Sequence, residues 1–284
     1  MKNTFKKLFI SFTVLSLTAC GSTTMQDNTY AAKENKDFTK YTNQLVVEYA
    51  ENDYTTMHQF FEHPEDYGID INKVEVSLGE FYTDNTEEIK EDQKKLNKFN
   101  RSTLDKTQQT IYDELKYENE LSLKAENKKF QYLNNCWSTM SGLHQNLISV
   151  FSEYILRSEK DIQDLITLIN DVPRYTNDVL EYTKEQADKN TLQFDYDSVT
   201  QDIQDVINNK ENSSVTSALY NAIETLNLDE EKTTSYKAQV KEAMDTNFFP
   251  SYQAMLDTLT SLQSKVQPCL LYTSPSPRDR TRSR

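Results

Sequence analysis

The sequence predicts an all-α protein, a multi-helix array, and three observations predict it. Glycine occurs only four times in 284 residues, whereas sheets and phosphate-binding loops spend glycine on their turns. Apolar residues recur at three- and four-residue spacing over most of the chain, the period that places them on one face of a helix. Between those stretches stand Asn, Asp and Ser, the residues that cap helices and make polar linkers. Tyr (17) and Phe (13) are plentiful, and about 230 residues are enough to bury a core. No internal repeat of fixed period is present.

The chain starts with a basic tip, Lys2, Lys6 and Lys7, followed by a mostly apolar stretch from Leu8 to Leu17. Leu17-Thr18-Ala19-Cys20 closes it. This is the layout of a bacterial secretion signal, here residues 1–19, ending at a cysteine. A thiol just after the cut can take a diacylglycerol through a thioether, and the new amino terminus can be acylated too. The apolar stretch covers roughly 15 Å as helix, against a hydrocarbon core of ~30 Å, so it is not a permanent span. Two acyl chains, at ~0.8 kcal/mol per buried methylene, anchor stably where one does not. Cys20 is therefore the expected lipid attachment residue. The expected location is the extracytoplasmic face of the cell membrane, with the membrane a partner through that lipid.

Residues 20–35 are polar and aperiodic, a flexible tether. The helical domain is expected over 36–266. Phe38, Tyr41, Leu45, Val46 and Tyr49 mark its first helix. A second runs from Asp53 to Glu62, and His63-Pro64 ends it. Tyr67-Gly68-Ile69-Asp70 turns the chain, and Val74, Val76 and Leu78 alternate up to Gly79 as a brief extended segment too isolated to make a sheet. A polar helix follows over about Thr83–Asn97. Ile111, Leu115, Tyr117, Leu121 and Leu123 give the apolar positions of another over Leu104–Lys128.

The periodicity breaks over 131–146, around Ser141-Gly142, and resumes with Leu147, Ile148, Phe151 and Tyr154. Ser158, with Asp161 three residues on, reads as an N-cap. Ile162, Leu165, Ile166 and Ile169 then form one face. Pro173 fits the first turn of a separate helix carrying Tyr175, Val179 and Tyr182. Val199, Ile203, Val206 and Ile207 make a further stripe, and Val215, Ala218, Leu219, Ala222, Ile223 and Leu226 another. The last pattern, Asp229 to Leu262, contains Pro250, which should kink or divide it.

From about Val266 the character changes. Residues 267–284 are rich in proline and arginine and lack periodicity. The run Cys269 to Asp279 resembles translated sequencing adaptor, so these residues are expected to be a non-native disordered tail on an incomplete helical domain.

Net charge is −14. The signal contributes Lys2, Lys6 and Lys7, and the tail contributes four Arg against one Asp, so the stretch between them is more acidic still. Such a surface repels phosphate backbones, which argues against nucleic acid as a partner. Of three cysteines only Cys136 lies in the helical domain, so no internal disulfide forms there.

Gly21, Gly68, Gly79 and Gly142 are too far apart for a phosphate loop, and there is no Gly-x-Ser-x-Gly elbow. His58 and His63 stand about 140° apart round a helix, unlike the i, i+4 pair of a His-Glu-x-x-His zinc site. Acid pairs such as Asp161/Asp164, Glu87/Glu88 and Glu230/Glu231 read as solvated helix faces. No catalytic, cofactor-binding or metal-ligating residue is therefore assigned in this chain.

Four ordered stretches resemble a large bacterial family, domain of unknown function 885, many of whose members are Gram-positive lipoproteins. They are Asp53–His58 leading to His63-Pro64-Glu65-Asp66-Tyr67-Gly68-Ile69; Ser77–Phe81; Ser141-Gly142-Leu143-His144-Gln145-Asn146-Leu147 continuing to Val172-Pro173-Arg174-Tyr175; and Phe249-Pro250-Ser251-Tyr252. The resemblance spans roughly residues 36–265. It implies a helical fold like that of gluzincin metallopeptidases, with zinc as cofactor of the full-length protein and peptides as possible partners. The zinc motif it implies, His-Glu followed by Pro-Gly-His-His, has no counterpart in this sequence. His144 lies in the family's Ser/Thr-Gly-x-x-x-Leu segment, which the resemblance places along the cleft. The expected function is thus a membrane-anchored extracytoplasmic lipoprotein, the amino-terminal part of a zinc-dependent peptidase and itself inactive. The alternative is a non-enzymatic helical lipoprotein for binding or scaffolding.

Overall fold

The computed structural model describes residues 34–81 and 85–267. The expected signal, Cys20 as the expected lipid attachment residue, most of the tether and residues 268–284 lie outside the described residues. Those described are mostly helical, with no strand among them; Gln193 and Gln267 share one isolated parallel bridge. The all-α expectation therefore holds. The helical stretch comprises two compact units that divide between Gln131 and Tyr132.

In the first unit, α1 (Lys36–Asn52) and α2 (Tyr54–Phe60) are separated by Asp53 alone. Each has a side-chain cap that satisfies otherwise orphaned amides. The Asn35 amide oxygen accepts from the Asp37 and Phe38 N–H groups, and Asp53 accepts from Thr56. Short 3-10 turns at Pro64–Tyr67 and Ile71–Lys73 follow. Gly68 closes the first of them at φ 78°, a left-handed conformation that suits glycine. Val74 to Leu78 forms no strand, and none occurs among the described residues.

α3 (Thr86–Leu96) and α4 (Lys106–Ala125) complete the unit. Its core gathers Phe38, Leu96, Leu104, Tyr112 and Leu115, flanked by Tyr41, Leu45, Phe99 and Ile111. The buried Gln108 amide joins α4 to the start of α1: it accepts from the Asn35 N–H (2.9 Å) and donates to the Asn35 carbonyl (2.9 Å) and to Thr39 Oγ1 (3.0 Å). The inner face of α4 differs from expectation. It runs through Gln108, Tyr112, Leu115 and Asn119, while Tyr117 and Leu121 point outward. Residues 117 and 121 lie far round the helix from 108 and 112, and a satisfied buried Gln outweighs an exposed Tyr as a marker of the inner face.

The second unit holds α5 (Leu143–Ser152), α6 (Glu159–Asp188), α7 (Tyr196–Asn208), α8 (Ser214–Thr225), α9 (Glu230–Ala243) and α10 (Phe249–Ser261). α10 packs on α7 and α6, α5 on α8, and α9 on both α8 and α6. At the start of α6 the Asp161 carboxylate accepts from the Arg157 and Ser158 N–H groups and from the Ser158 hydroxyl, close to the cap expected there.

Pro173 does not open a new helix. It lies inside the single 30-residue α6. Proline removes one N–H and crowds the carbonyl of Ile169, which usually breaks a helix. Here fully buried Ile162, Leu165, Ile169 and Val172 before it share a face with buried Thr176, Val179 and Thr183 after it, so burial on both sides outweighs the local penalty. Pro173 itself is exposed. Replacing it with Ala should restore the missing bond and raise stability by about 1 kcal/mol, below the ~3 kcal/mol interior penalty because α6 has already adapted. A urea titration with unchanged slope and a higher midpoint would register the gain.

Pro250 does divide its pattern. Between α9 and α10 the chain widens into one π turn, Met244–Phe248, and Pro250 sits in the first turn of α10. The widened turn accommodates the ring that an α-helical path would press against the preceding carbonyl. It also rotates Phe248 and Tyr252 into the core, both with no exposed surface.

Candidate functional site

The loop before α5 ends in a tight turn: the Gly142 N–H donates to the Ser138 carbonyl (2.7 Å) and the Leu143 N–H to that of Cys136 (2.9 Å). Gly142 has an ordinary φ of −73°. Space is what demands glycine here. An added Cβ would lie 2.5 Å from the Ser138 carbonyl oxygen, 2.8 Å from its nitrogen and 2.9 Å from His144 Cε1. The backbone therefore closes directly over His144, in the first turn of α5.

His144 has no exposed surface. Its ring stacks on that of Trp137, with centroids 6.4 Å apart and planes 19° apart. Trp137 is fixed in turn, since its indole N–H donates to Thr183 Oγ1 (2.9 Å) and that hydroxyl donates to the Val179 carbonyl (2.7 Å). From α10 the Tyr252 hydroxyl donates to the His144 carbonyl. α7 brings a carboxylate: Asp202 Oδ2 lies 3.6 Å from His144 Nε2 and accepts a hydrogen bond from Gln145 Nε2 (3.2 Å).

At 3.6 Å the Asp202 contact is longer than a hydrogen bond, and neither ring nitrogen of His144 has a hydrogen-bond partner. Buried polar groups are nearly always paired. Burial pushes the imidazole below its usual pKa, opposed by the Asp202 charge, so the ring is held neutral. Burial also raises the pKa of the Tyr252 phenol and pushes the Cys136 thiol up to about 12.

Of the three histidines, His144 is the one that the fold builds into a constellation. His58 is buried in α2 and stacks on Tyr54 (5.5 Å, 10°). His63 is exposed beside Glu65, on the N-cap of the following 3-10 turn. The acid pairs lie along helices: Glu87 pairs with Lys90 at the surface and Asp161 caps α6, but Asp164, expected on a solvated face, is buried and paired with Lys160. Sequence patterning does not group Trp137, Gln145, Asp202 and Tyr252. The chain's one Trp, just upstream of Ser141-Gly142, is the signal available for part of that group.

The described residues at this site supply too few donors for a zinc centre. No group of three or more His, Cys, Asp or Glu among the described residues could hold a metal ion, and His144 with Asp202 supplies two donors. No helix among them is long and apolar enough to cross a membrane.

Comparison with known proteins bears on identity. No curated protein and no solved structure matches the chain. A family model described as "Bacterial protein of unknown function (DUF885)" matches residues 72–278. That match takes in α3 to α10, including the turn over His144 and the π-widened junction at Pro250. The chain therefore belongs to the DUF885 family of bacterial proteins of unknown function.

Proposed function

We propose that this chain is the amino-terminal helical part of an extracytoplasmic protein tethered to the membrane through lipid on Cys20. In this reading it supplies scaffold, and not metal ligands, to a zinc-dependent peptidase. The observation that carries the anchoring is the run from the basic tip through Leu8–Leu17 to Leu17-Thr18-Ala19-Cys20. An acidic body on a polar tether suits a domain held off anionic headgroups. The peptidase half rests on the family resemblance, and its metal ligands would come from a further, carboxy-terminal segment of the full-length protein.

The anchor is tested by growing the parent bacterium on radiolabelled palmitate. Label should enter the protein, and Cys20→Ala should abolish labelling and move the protein out of the membrane fraction. Equal labelling of the variant refutes the anchor. The peptidase reading is tested on the full-length gene product by zinc content and peptide hydrolysis. A product with neither would favour a helical lipoprotein for binding or scaffolding.

A further inference from the structure

We propose that His144 and Asp202 form a pH-sensitive latch between α5 and α7: protonation of the ring draws the Asp202 carboxylate off the Gln145 amide and onto Nε2, disturbing the stack on Trp137. The observation that carries this is a pair of unmet bonding groups. Both nitrogens of His144 are buried without a hydrogen-bond partner, and the nearest charge stops at 3.6 Å. A histidine kept for packing would bond at least one nitrogen, and an apolar ring would fill the site at lower cost. An imidazole left this way is poised to gain an interaction on protonation, which a stacked Phe could not do.

The parts needed for two arrangements are present. Asp202 Oδ2 already has a competing donor in Gln145 Nε2 at 3.2 Å, so the carboxylate can exchange one partner for another within the same pocket. Its side chain is 37% exposed while that of His144 is not exposed at all, so the proton enters from water at the carboxylate edge. No other covalent bond changes. The titratable groups near His144 are Asp202 from α7 at its ring, Tyr252 from α10 at its backbone carbonyl and Cys136 in the preceding turn, whose carbonyl accepts from the Leu143 N–H. The phenol and the thiol stay neutral near pH 7. Asp202 is the one charged group acting on the ring among the described residues.

The sign of the pH dependence follows from burial. In the unfolded chain the imidazole titrates near 6.5, whereas in the fold burial holds it below that. Below about pH 6.5 the unfolded chain therefore binds more protons. Stability contributed by the neutral ring is complete above that pH and is lost as pH falls toward the folded value, the range in which the latch switches.

Trp137 is the only tryptophan and is stacked on the ring, so its emission reads the switch directly. An imidazolium withdraws electron density from an excited indole and quenches it. In the whole chain, emission should fall in a one-proton step with its midpoint below about 6.5. Asp202→Asn removes the charge that favours the protonated form and should lower the midpoint by roughly 0.5–1 pH unit. His144→Gln should erase the step while keeping its helical circular dichroism at pH 7.5. Should that variant fail to fold, Asp202→Asn alone decides. His58→Gln with His63→Gln should leave the step in place. No step in the parent chain, a step that survives His144→Gln, or a midpoint that Asp202→Asn leaves unmoved or raises would overturn the latch.

Discussion

Phe248→Ala should lower the unfolding free energy by about 3–5 kcal/mol, the range for truncating a fully buried aromatic ring. The ring meets Phe151 edge-on at 5.7 Å, Phe249 edge-on at 5.4 Å and Tyr252 at a tilt at 4.9 Å. These partners come from α5 and α10, so the cavity would open where helices meet and could not be refilled by one side chain changing rotamer. Domains are stable by only ~5–15 kcal/mol, so the loss would remove a large share of the total. Urea unfolding followed by Trp137 emission measures it, because Trp137 belongs to the same unit. Leu133→Ala is the control: that side chain is 58% exposed and lies in the same unit as Trp137, so its loss should move the midpoint little. A Phe248→Ala midpoint close to the parent's would contradict this packing.

Gly142→Ala ranks next, at a cost of about 1–3 kcal/mol from overpacking. Its φ is ordinary, so backbone strain contributes nothing and the whole effect is collision. Two of the three colliding atoms are backbone atoms of Ser138 and cannot rotate away. Relief must come from opening the 138–142 turn, which should also loosen His144 and alter Trp137 emission in the folded state. Gly68→Ala provides the opposite case. Its φ is 78° and nothing lies within 4 Å of an added Cβ, so its cost of about 1 kcal/mol would be conformational only. Equal behaviour of the two variants, with Trp137 emission unchanged in Gly142→Ala, would show that the turn does not press on the ring.

Helix positions were readable because the 3.6-residue period is a local property: each residue's face depends on neighbours three and four away. The stripes at Phe38–Tyr49, Ile162–Ile169, Val199–Ile207 and Val215–Leu226 all became helices with their inner positions buried or half-buried. The turn at Ser141-Gly142 was likewise legible from the loss of that period. Local rules failed at Pro173, where proline alone suggested a helix start and burial on both sides carried α6 through. They also failed at Tyr117 and Leu121, where hydrophobicity alone suggested the inner face of α4.

The grouping of the candidate site, of which the family resemblance marked His144, was beyond sequence reading for a different reason. His144, Trp137, Asp202 and Tyr252 come from a loop and three helices, with Tyr252 lying 108 residues from the carbonyl it meets. No spacing rule connects positions so far apart. What the sequence determined by itself was the helical class and the spacing of the turns, because these follow from each residue and its near neighbours. Only the tertiary structure decided that α6 runs unbroken, that the chain widens into a π turn ahead of Pro250, and that one imidazole is sealed beside a carboxylate with both nitrogens unmet. Those outcomes depend on which surfaces are withdrawn from water together, and that is settled by the packing of distant segments.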